Sequence, residues 1–397
     1  MVKKIDLLII GAGPAGLSTA LHLVRFNTAW AKRMLVIEKA VHPRPKLCAG
    51  GVTRIGLESL RDLGLSLPLP IPGVQVTDAR LICNNKTINV RGQPMFTVYN
   101  RIELDDFISQ YAQKRGVNIY QNEAVEAIEE KPDGLVVITE KDSYFAQVVV
   151  GADGSKGISL RLFTEAGCPK RVARVLEADL NVHGTEAHFS KACAEFNFSA
   201  CQQHLQGYTW EFPSRIGNQP RFNRGVYDSR LVKSRPRADL PLIFNTQMEQ
   251  DGVESSVDIQ GHPIHLFHPK NRFSRPHLLL VGDAAGVDPL FGEGIGPSLA
   301  YGRLAAETIN DSFLTQDFSF SDYKYRLMCS RLGRYLLIRW LVARLSYLFS
   351  GSVLFMNALW IVGRLAAELW PKPSLLYAIG NSYEKRDPML EFEDYAD

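Results

Sequence analysis

The glycine-rich turn near the N-terminus constrains the fold of this chain more than any other feature. An almost unbroken apolar run, Ile5 to Ile10, precedes the sequence GAGPAG, and apolar residues recur at helical spacing from Leu17 to about Phe26. A second apolar run, Met34 to Ile37, ends in Glu38. Such short continuous runs are typical of strands buried on both faces of a parallel sheet. The sequence therefore predicts a strand–helix–strand unit with GxGxxG at its first turn.

The turn has the composition of a site for the ADP half of a dinucleotide. Gly11 permits the tight turn, Gly13 lets the backbone approach a diphosphate, and Gly16 allows close packing of the helix on the sheet. The helix N-terminus offers free N–H groups and a positive dipole end to the phosphates. Glu38 can accept hydrogen bonds from both ribose hydroxyls and would repel the 2′-phosphate of NADP. The predicted contacts of an FAD or NAD cofactor here are Gly11, Gly13, Pro14, Ala15, Gly16, Glu38 and Lys39.

The spacing from Gly11 to Glu38 is longer than the usual value of about 20 residues. We assign the excess to a longer helix–strand connection around Asn27 to Arg33. An ordinary glycine turn is the alternative interpretation, and the strand–helix–strand context with its terminal glutamate favours the dinucleotide site.

Composition and charge argue against several classes of protein. The 397 residues are 46% hydrophobic and 22% charged, as in ordinary folded proteins. A net charge of +3 without a compact Lys/Arg block does not support nucleic-acid binding. Six scattered cysteines without a CxxC pair suit reduced thiols, and no secretory leader is visible, so a cytoplasmic location is predicted. The nine histidines form no HxH or HxxxH pair, so no metal site is expected.

The pattern of apolar residues predicts two domains and a C-terminal segment. Apolar runs at 148–150 and 278–281 end in glycine-containing turns and are assigned to the sheet of the first strand. Residues 73–99 and 173–266 alternate like the strands of an inserted sheet. The predicted fold class is α/β. It comprises a three-layer, Rossmann-like domain with a parallel sheet (1–72, 98–168 and 268–330), an antiparallel-sheet substrate domain (73–97 and 169–267) and a helical C-terminal segment (331–397).

Two later motifs resemble those of p-hydroxybenzoate-hydroxylase-like flavoproteins. GADGSKGISLR, from Gly151 to Arg161, is similar to their Asp-Gly motif, and VGDAAGVDPLFGEGIGPSLAYG, from Val281 to Gly302, is similar to their second flavin motif. The resemblance implies FAD rather than NAD, with Asp283 at the ribityl and diphosphate end and residues 292–296 opening a helix toward the flavin ring. The further cofactor contacts that it implies are Arg101, Val125, Asp153, Gly154, Gly282, Asp283, Gly292, Gly294, Ile295 and Gly296.

Two more patterns are similar to the geranylgeranyl reductase family, whose members saturate isoprenoid double bonds. PRPKLCAGGV, from Pro43 to Val52, resembles the family's Cys-Gly-Gly segment, although Ala49 interrupts the Cys-Gly step. GYTWEFPSR, from Gly207 to Arg215, resembles the family's Tyr-x-Trp-x-Phe-Pro segment. The resemblance implies an FAD-dependent enzyme that hydrogenates C=C bonds of an isoprenoid or other apolar lipid. It also implies that Cys48, Ala49 and Gly50 lie near the flavin ring.

The candidate catalytic and substrate-binding residues each have a structural alternative. Cys48 can donate a proton to one alkene carbon while reduced flavin delivers hydride to the other, or it is a small buried cysteine. Glu293 is either a second acid–base group or a helix cap. Arg44 and Lys46 either contact a phosphate or are simply solvated. The predicted substrate wall, with core packing as the alternative, consists of Tyr208, Trp210, Phe212, Pro289 and Phe291.

The uncharged run from Leu345 to Gly363 raises the question of a membrane. Its 19 residues include three serines, an asparagine and an internal glycine, which predict a break into two short helices. These helices would lie on a bilayer surface or cover an apolar cavity, with burial against the protein as the alternative. The predicted partners are an apolar or lipid substrate, an external electron donor such as NAD(P)H or ferredoxin, and a membrane surface on the cytoplasmic face.

Two other functions fit the same motifs. An FAD monooxygenase acting on an apolar or aromatic substrate would share the scaffold, because fold alone does not choose between hydrogenation and oxygen transfer. The mass of the product distinguishes the two reactions. A non-catalytic flavin- or lipid-binding protein is the second alternative, which substrate-dependent reoxidation would exclude. A halogenase is disfavoured, because the Trp-x-Trp-x-x-Pro segment of halogenases does not follow the first helix.

Overall fold

The chain forms two sheets, ten α-helices and two short 3-10 helices within residues 2–165, 167, 171–182, 189–250, 258–350 and 352–368, which the computed structural model describes. The strands are β1 (Lys3–Ile10), β2 (Met34–Ile37), β3 (Gly51–Thr53), β4 (Gly73–Cys83), β5 (Lys86–Tyr99), β6 (Ile119–Tyr120), β7 (Val125–Lys131), β8 (Gly134–Thr139), β9 (Ser143–Gly151), β10 (Val172–Asn181), β11 (Cys193–Asn197), β12 (Gly207–Ile216), β13 (Gln219–Asp228), β14 (Gln260–His265), β15 (Ser274–Arg275) and β16 (Leu278–Leu280). The helices are α1 (Pro14–Phe26), α2 (Trp30–Arg33), α3 (Arg54–Asp62), α4 (Arg101–Lys114), α5 (Ile158–Glu165), α6 (Leu240–Gln250), α7 (Ile295–Thr315), α8 (Tyr323–Cys329), α9 (Arg331–Phe349) and α10 (Val353–Glu368).

The first sheet carries the glycine-rich turn at its centre. Its strand order is β15-β16-β9-β1-β2-β6, and β8 and β7 continue from β9. Strands β16, β9, β1, β2 and β6 are parallel, whereas β15, β8 and β7 run antiparallel to their neighbours. The last four residues of β1 and all of β2 are buried, because helices such as α1 cover the sheet. The predicted strand–helix–strand unit and the assignment of 148–150 and 278–281 to its sheet are confirmed, with the last strand ending at Leu280.

The connection between α1 and β2 explains the long spacing between the turn and Glu38. The short helix α2 lies in it and buries Trp30. The Trp30 ring packs edge-on against Phe313 of α7, with 5.0 Å between the ring centroids. The Arg33 guanidinium also lies against Trp30, 4.3 Å from its ring centroid. The extra residues are therefore part of the packed structure.

The second sheet has the strand order β14-β10-β13-β12-β11-β4-β5-β3. Neighbouring strands in this sheet are antiparallel, except for β11 and β4, which are parallel. Strand β3 belongs to this sheet although it lies within 1–72. The expectation of strands throughout 173–266 is wrong at α6, where four buried apolar residues recur at helical spacing: Leu240, Ile243, Phe244 and Met248.

The C-terminal part is helical as predicted. Helix α9 ends at Phe349 and α10 begins at Val353, so the uncharged run breaks where its serines and glycine predicted. In the part of the chain that the structure describes, no helix is long and apolar enough to cross a membrane. Residues 369–397 of the predicted helical segment lie outside the described residues. The predicted α/β class, with a mainly parallel sheet, a mainly antiparallel sheet and C-terminal helices, is confirmed.

Candidate functional site

Two glycines of the GxGxxG turn are required by close backbone contacts. Gly11 has a φ of +105°, and a methyl group there would lie 2.5 Å from the Ala152 carbonyl oxygen. A methyl group at Gly16 would overlap the carbonyl oxygen of Gly11. Both glycines therefore let α1 and the backbone at Ala152 pack directly on the turn.

Gly13 differs from them, because the space beside it is open. Its φ is −86°, which any residue adopts. Among the described residues, only Arg44 Nη2 would lie within 4 Å of a methyl group there, at 3.7 Å, apart from its chain neighbours. Helix α1 begins here, with Pro14 and Ala15, and no side chain caps it, so its first N–H groups face this space. Arg44 Nε is buried and has no hydrogen-bond partner among the residues that the structure describes. An open helix N-terminus beside an unpaired guanidinium nitrogen fits the diphosphate of FAD.

Glu38 lies where an adenosine ribose is expected, at the end of β2 beside the turn. It is buried, and its carboxylate accepts hydrogen bonds from the Ala12 N–H at 2.9 Å and the Ala40 N–H at 3.1 Å. Arg44 Nη2 lies 3.5 Å from the same carboxylate. The neighbouring Lys39 is exposed. These contacts place Glu38 and Arg44 together beside the glycine-rich turn, whereas Lys39 is exposed. Contact of Glu38 and Arg44 with FAD stays a prediction.

Val125 lies on the strand that flanks the Glu38 end of the site. It begins β7 and packs, partly buried, against the core of the first sheet. Two residues before it, the Glu123 N–H donates to the Glu38 carbonyl oxygen at 3.1 Å. Val125 is therefore close to the segment after β2, and its contact with FAD stays a prediction.

The second flavin motif meets the turn from the opposite side. Gly282 has a φ of +58°, and a methyl group there would lie 2.7 Å from the Ala15 Cβ. The next residue, Asp283, has its Oδ1 3.4 Å from the position of a methyl group on Gly294, which precedes α7. The motif thus brings a carboxylate to the start of a second helix, whose first residue, Ile295, is buried.

Two further glycines of this motif are held by close packing. Gly292 has a φ of +69°, and a methyl group there would lie 2.8 Å from the Tyr227 ring. Gly296 is in α7, and its Cα lies 2.9 Å from the position of a methyl group on Gly56 of α3. At these two positions a side chain would overlap a neighbouring group, so only glycine fits without a shift of the surroundings.

The Asp-Gly motif contacts the turn through its backbone. The Asp153 carboxylate is directed to the start of α5, where it accepts hydrogen bonds from the Ser159 N–H at 2.9 Å and from the Ser159 hydroxyl. Burial raises the pKa of Asp153, and the bonds from Ser159 oppose this rise. A methyl group on the next residue, Gly154, would lie 3.8 Å from Lys46 Nζ. The Asp153 side chain therefore caps a helix, and only its backbone lies against Gly11.

Arg101 is held in place by Asp105, a residue that the sequence analysis missed. Arg101 donates from Nε and from Nη2 to the two Asp105 oxygens, each at 2.7 Å. Arg44 Nη2 lies 3.4 Å from the same carboxylate. Burial alone would lower the pKa of Arg101, but the charge and hydrogen bonds of Asp105 raise it above its ordinary value. The i,i+4 spacing of the pair on α4 was the signal available in the sequence.

A cavity of about 470 Å³ opens beside Cys48, and Arg101 and Glu177 also line it. The Gly50 N–H donates to the Cys48 sulfur at 3.4 Å. Gly50 has a φ of +77°, and Ala49 packs against the aromatic residues of the second sheet. Burial raises the pKa of the Cys48 thiol, while the charge of Arg101 opposes this rise. The thiol is therefore protonated at neutral pH.

Glu293 is bound by groups from two other elements. Its carboxylate accepts hydrogen bonds from the Thr53 hydroxyl of β3 and the Tyr335 hydroxyl of α9, each at 2.5 Å. Close by, the fully buried Asp288 forms an ion pair with Arg339 of α9 at 2.6 Å. Burial raises the pKa of Glu293, opposed by Arg339, Thr53 and Tyr335. Helix α9 is thus bound to the second flavin motif through Tyr335 and Arg339.

Tyr208, Trp210 and Phe212 lie on one face of β12 in an aromatic cluster. All three are buried, and the ring centroids of neighbouring pairs are 6.1 and 6.3 Å apart. The Tyr208 hydroxyl donates to the Phe291 carbonyl oxygen at 2.5 Å, while the Pro289 carbonyl oxygen accepts from the Tyr227 hydroxyl. None of them lines the cavity beside Cys48. Core packing describes their environment, and contact with a substrate stays a prediction.

The fold thus brings together four stretches that are distant in the sequence. The turn at 11–16, residues 38–50, the start of α4 and the second flavin motif all meet at one edge of the first sheet. Within the described ranges, no three His, Cys, Asp or Glu side chains are grouped so that they could hold a metal ion. The cluster has the donors and open space for a dinucleotide.

The comparison with protein families defines the class of this protein. The family described as FAD binding domain matches residues 4–296. The chain therefore belongs to this family, and it is an FAD-dependent oxidoreductase related to the geranylgeranyl reductases. Its cofactor is FAD, which confirms the choice of FAD over NAD and the family resemblance.

Individual relatives agree with this class. The digeranylgeranylglycerophospholipid reductase 1 of Methanothermobacter thermautotrophicus is 29% identical over 327 residues, 77% of this chain and 77% of that protein. The structure of a geranylgeranyl bacteriochlorophyll reductase-like protein from Thermoplasma acidophilum has a TM-score of 0.72 at 18% identity, over 87% of each chain. A variant of the halogenase PltM with bound FAD has a TM-score of 0.66 at 17% identity, over 86% of this chain and 76% of that one. A protein named reductase-like and a halogenase thus share this fold, so the fold alone does not define the reaction.

Proposed function

We propose that this protein hydrogenates a carbon–carbon double bond of an isoprenoid or another apolar lipid. The observation that carries the proposal is the Cys48 thiol, which lies beside Arg101 at the wall of a cavity and which burial keeps protonated. Saturation of a C=C bond needs a hydride on one carbon and a proton on the other. FAD, once bound and reduced by an external donor, would supply the hydride. The Cys48 thiol holds the proton.

Arg101 would stabilise the Cys48 anion that the proposed reaction forms. Proton transfer leaves a thiolate at Cys48, and the positive charge of Arg101 lowers the free energy of this anion. The bidentate bond to Asp105 keeps the guanidinium in position. The lipid class of the substrate is supported by the name of the relative from Methanothermobacter thermautotrophicus, which refers to a phospholipid with geranylgeranyl groups.

The test is the mass of the product. Anaerobically reduced enzyme, offered a geranylgeranyl lipid, is expected to reoxidise and to yield a product with two hydrogens added per double bond. Cys48→Ala is expected to keep FAD and to lose about 10²- to 10⁴-fold in the rate of reduction, as for other general acids. Cys329→Ser, at an exposed cysteine, is the control. Lack of reoxidation would overturn the proposal, and a product that gains one oxygen under air would identify a monooxygenase.

The reducing equivalents are proposed to come from an external donor of the NAD(P)H or ferredoxin class. Anaerobic bleaching of the flavin by NADH, NADPH or reduced ferredoxin identifies the donor. Reoxidation that depends on added lipid then excludes a purely structural role of the flavin. A flavin that dithionite bleaches but no lipid reoxidises would contradict the enzyme that we propose.

We further propose that α9 and α10 rest on an anionic membrane surface at the cytoplasmic face. Helices α9 and α10 contain five arginines and one acidic residue, Glu368. Arg339 is paired with Asp288, and the remaining arginines outnumber Glu368, a charge pattern that suits anionic lipids. Both helices also expose apolar side chains. This apolar face consists of Leu337, Ile338, Leu341, Val342, Leu345, Leu348, Phe349, Leu354, Ile361, Val362 and Leu365. Such a combination is typical of helices that lie in the bilayer interface.

Vesicle flotation tests this surface. The protein is expected to float with vesicles of phosphatidylcholine and phosphatidylglycerol, and less with phosphatidylcholine alone. Leu341→Ser with Leu345→Ser removes two half-exposed leucines, for a loss of about 2 kcal/mol or roughly 30-fold in binding. Leu314→Ser on α7 is the matched control, since this leucine is exposed outside the apolar face. Equal flotation of all variants, or a stable dimer that covers the face instead, would contradict the proposal.

A further inference from the structure

Glu177 is a buried carboxyl group at the wall of the cavity that also contains Cys48. It lies in β10, which pairs with β13 and β14 in the second sheet. Glu177 is opposite Gly225 of β13 and Gln260 of β14. The residue is 4% exposed. Because β10 is paired on both sides, its backbone is held in place, and Glu177 lines the cavity together with residues 45–48 of the segment before β3.

The contacts of Glu177 lead to Cys48. Glu177 and Cys48 line the same cavity. The charge of Glu177 raises the pKa of the Cys48 thiol, and hydrogen bonding by the Cys48 backbone lowers the pKa of Glu177. Arg101 is also close, but it donates its Nε and Nη2 to Asp105. The charge of Glu177 therefore interacts with both Cys48 and Arg101, whereas two nitrogens of the Arg101 guanidinium are hydrogen-bonded to Asp105.

The surroundings of Glu177 favour its protonated form. Burial raises the pKa of Glu177, and the negative charge of Asp179 on the same strand adds to the rise. The Cys48 N–H and the Arg101 charge oppose it, and the pKa is about 8. The other charged groups around the cavity are Lys46, Arg221 and Asp258. At neutral pH the carboxyl group thus carries a proton, which it loses as the pH rises through about 8.

We propose that Glu177 returns a proton to Cys48 after each reduction, and this inference rests on the proposed function. When the thiol has given its proton to a substrate carbon, the Glu177 O–H bond breaks and the Cys48 S–H bond forms again. The resulting carboxylate takes up a proton from water in the cavity. One proton thus enters per double bond, alongside the hydride that the reduced cofactor contributes, and the charges balance.

The experiment compares the first turnover with later ones in FAD-loaded enzyme. Glu177→Gln keeps the shape of the side chain but holds no transferable proton. The first turnover on reduced enzyme is expected at the wild-type rate, because Cys48 begins protonated, while steady-state turnover with excess dithionite falls by at least about tenfold. Glu126→Gln, at an exposed glutamate of β7, is the control. Equal slowing of both phases would show a structural role, and unchanged steady-state turnover would overturn the inference.

Two readouts keep the inference testable if that variant folds poorly. Asp179→Asn removes a charge that raises the pKa of Glu177, so the loss of steady-state rate at high pH is expected to move to lower pH. Infrared spectroscopy of the wild type is expected to show a protonated carboxyl band that disappears between pH 7 and 9 around the pKa of about 8. An unmoved pH profile or the absence of this band would refute the role of Glu177. A wild type that reduces no lipid in its first turnover would refute the proposed function instead.

Discussion

Replacing Gly13 by alanine is expected to separate FAD binding from folding. In the folded protein a methyl group at this position meets only Arg44 Nη2, at 3.7 Å, among the described residues that are not chain neighbours. Its φ of −86° is open to alanine. A methyl group at Gly16, in contrast, overlaps the Gly11 carbonyl oxygen. The two substitutions add the same atom to the same motif and differ in what that atom displaces.

The magnitudes follow from these surroundings. Gly13→Ala weakens the start of α1 by a few tenths of a kcal/mol to about 1 kcal/mol and restricts the unfolded chain by about 0.4–1 kcal/mol, so the two effects nearly cancel. Gly16→Ala forces a backbone shift and is expected to cost at least about 2 kcal/mol more. For FAD, Gly13→Ala places a methyl group where the diphosphate approaches the helix N-terminus. The loss of one charge-assisted hydrogen bond, about 1.5–3 kcal/mol, weakens binding roughly 10- to 150-fold.

Two measurements on apoprotein check this reasoning. Urea unfolding of the Gly13 variant is expected within about 1 kcal/mol of the wild type, and titration followed by flavin fluorescence is expected to show the weaker Kd. The Gly16 variant is expected to lose stability first. The reasoning is refuted if the Gly13 variant binds FAD like the wild type, or if it unfolds as easily as the Gly16 variant.

Two stability effects are also expected away from the cofactor. Arg339→Met leaves the buried Asp288 without its ion-pair partner. It is expected to destabilise the fold by about 3 kcal/mol in urea unfolding, at the low end for a broken buried pair because Arg339 is partly exposed; a loss below about 1 kcal/mol would contradict the docking of α9. His22 is buried, and burial and then the charges of Arg303 and Arg25 lower its pKa from 6.5 to about 3. Because the unfolded chain binds the proton first, stability is expected to fall between pH 6.5 and about 3, by up to about 1.4 kcal/mol per pH unit. His22→Leu should flatten this slope, and an unchanged slope would exclude His22 as its source.

The sequence allowed more roles to be assigned at the glycine-rich turn than at the cavity beside Cys48. Gly11, Gly13 and Glu38 could be assigned roles because a glycine-rich turn between a strand and a helix has a geometry set by neighbouring residues. Asp105 was within reach of the same reasoning, as it is four residues from Arg101. Glu177 carried no signal, since an isolated glutamate in an alternating strand is ordinarily a solvated residue.

Local periodicity determined what the sequence could establish alone: buried parallel strands, the phosphate-binding turn, two C-terminal helices with a break between them, and, through resemblance, the flavoprotein class. Tertiary structure decided the rest. It placed Tyr208, Trp210 and Phe212 in a packed cluster, turned the Asp153 carboxylate to α5, and brought Glu177 to Cys48 across 129 positions of the chain. The physical reason is that burial and charge at a side chain depend on residues distant in sequence, whereas the geometry of a turn or helix depends on its own neighbours.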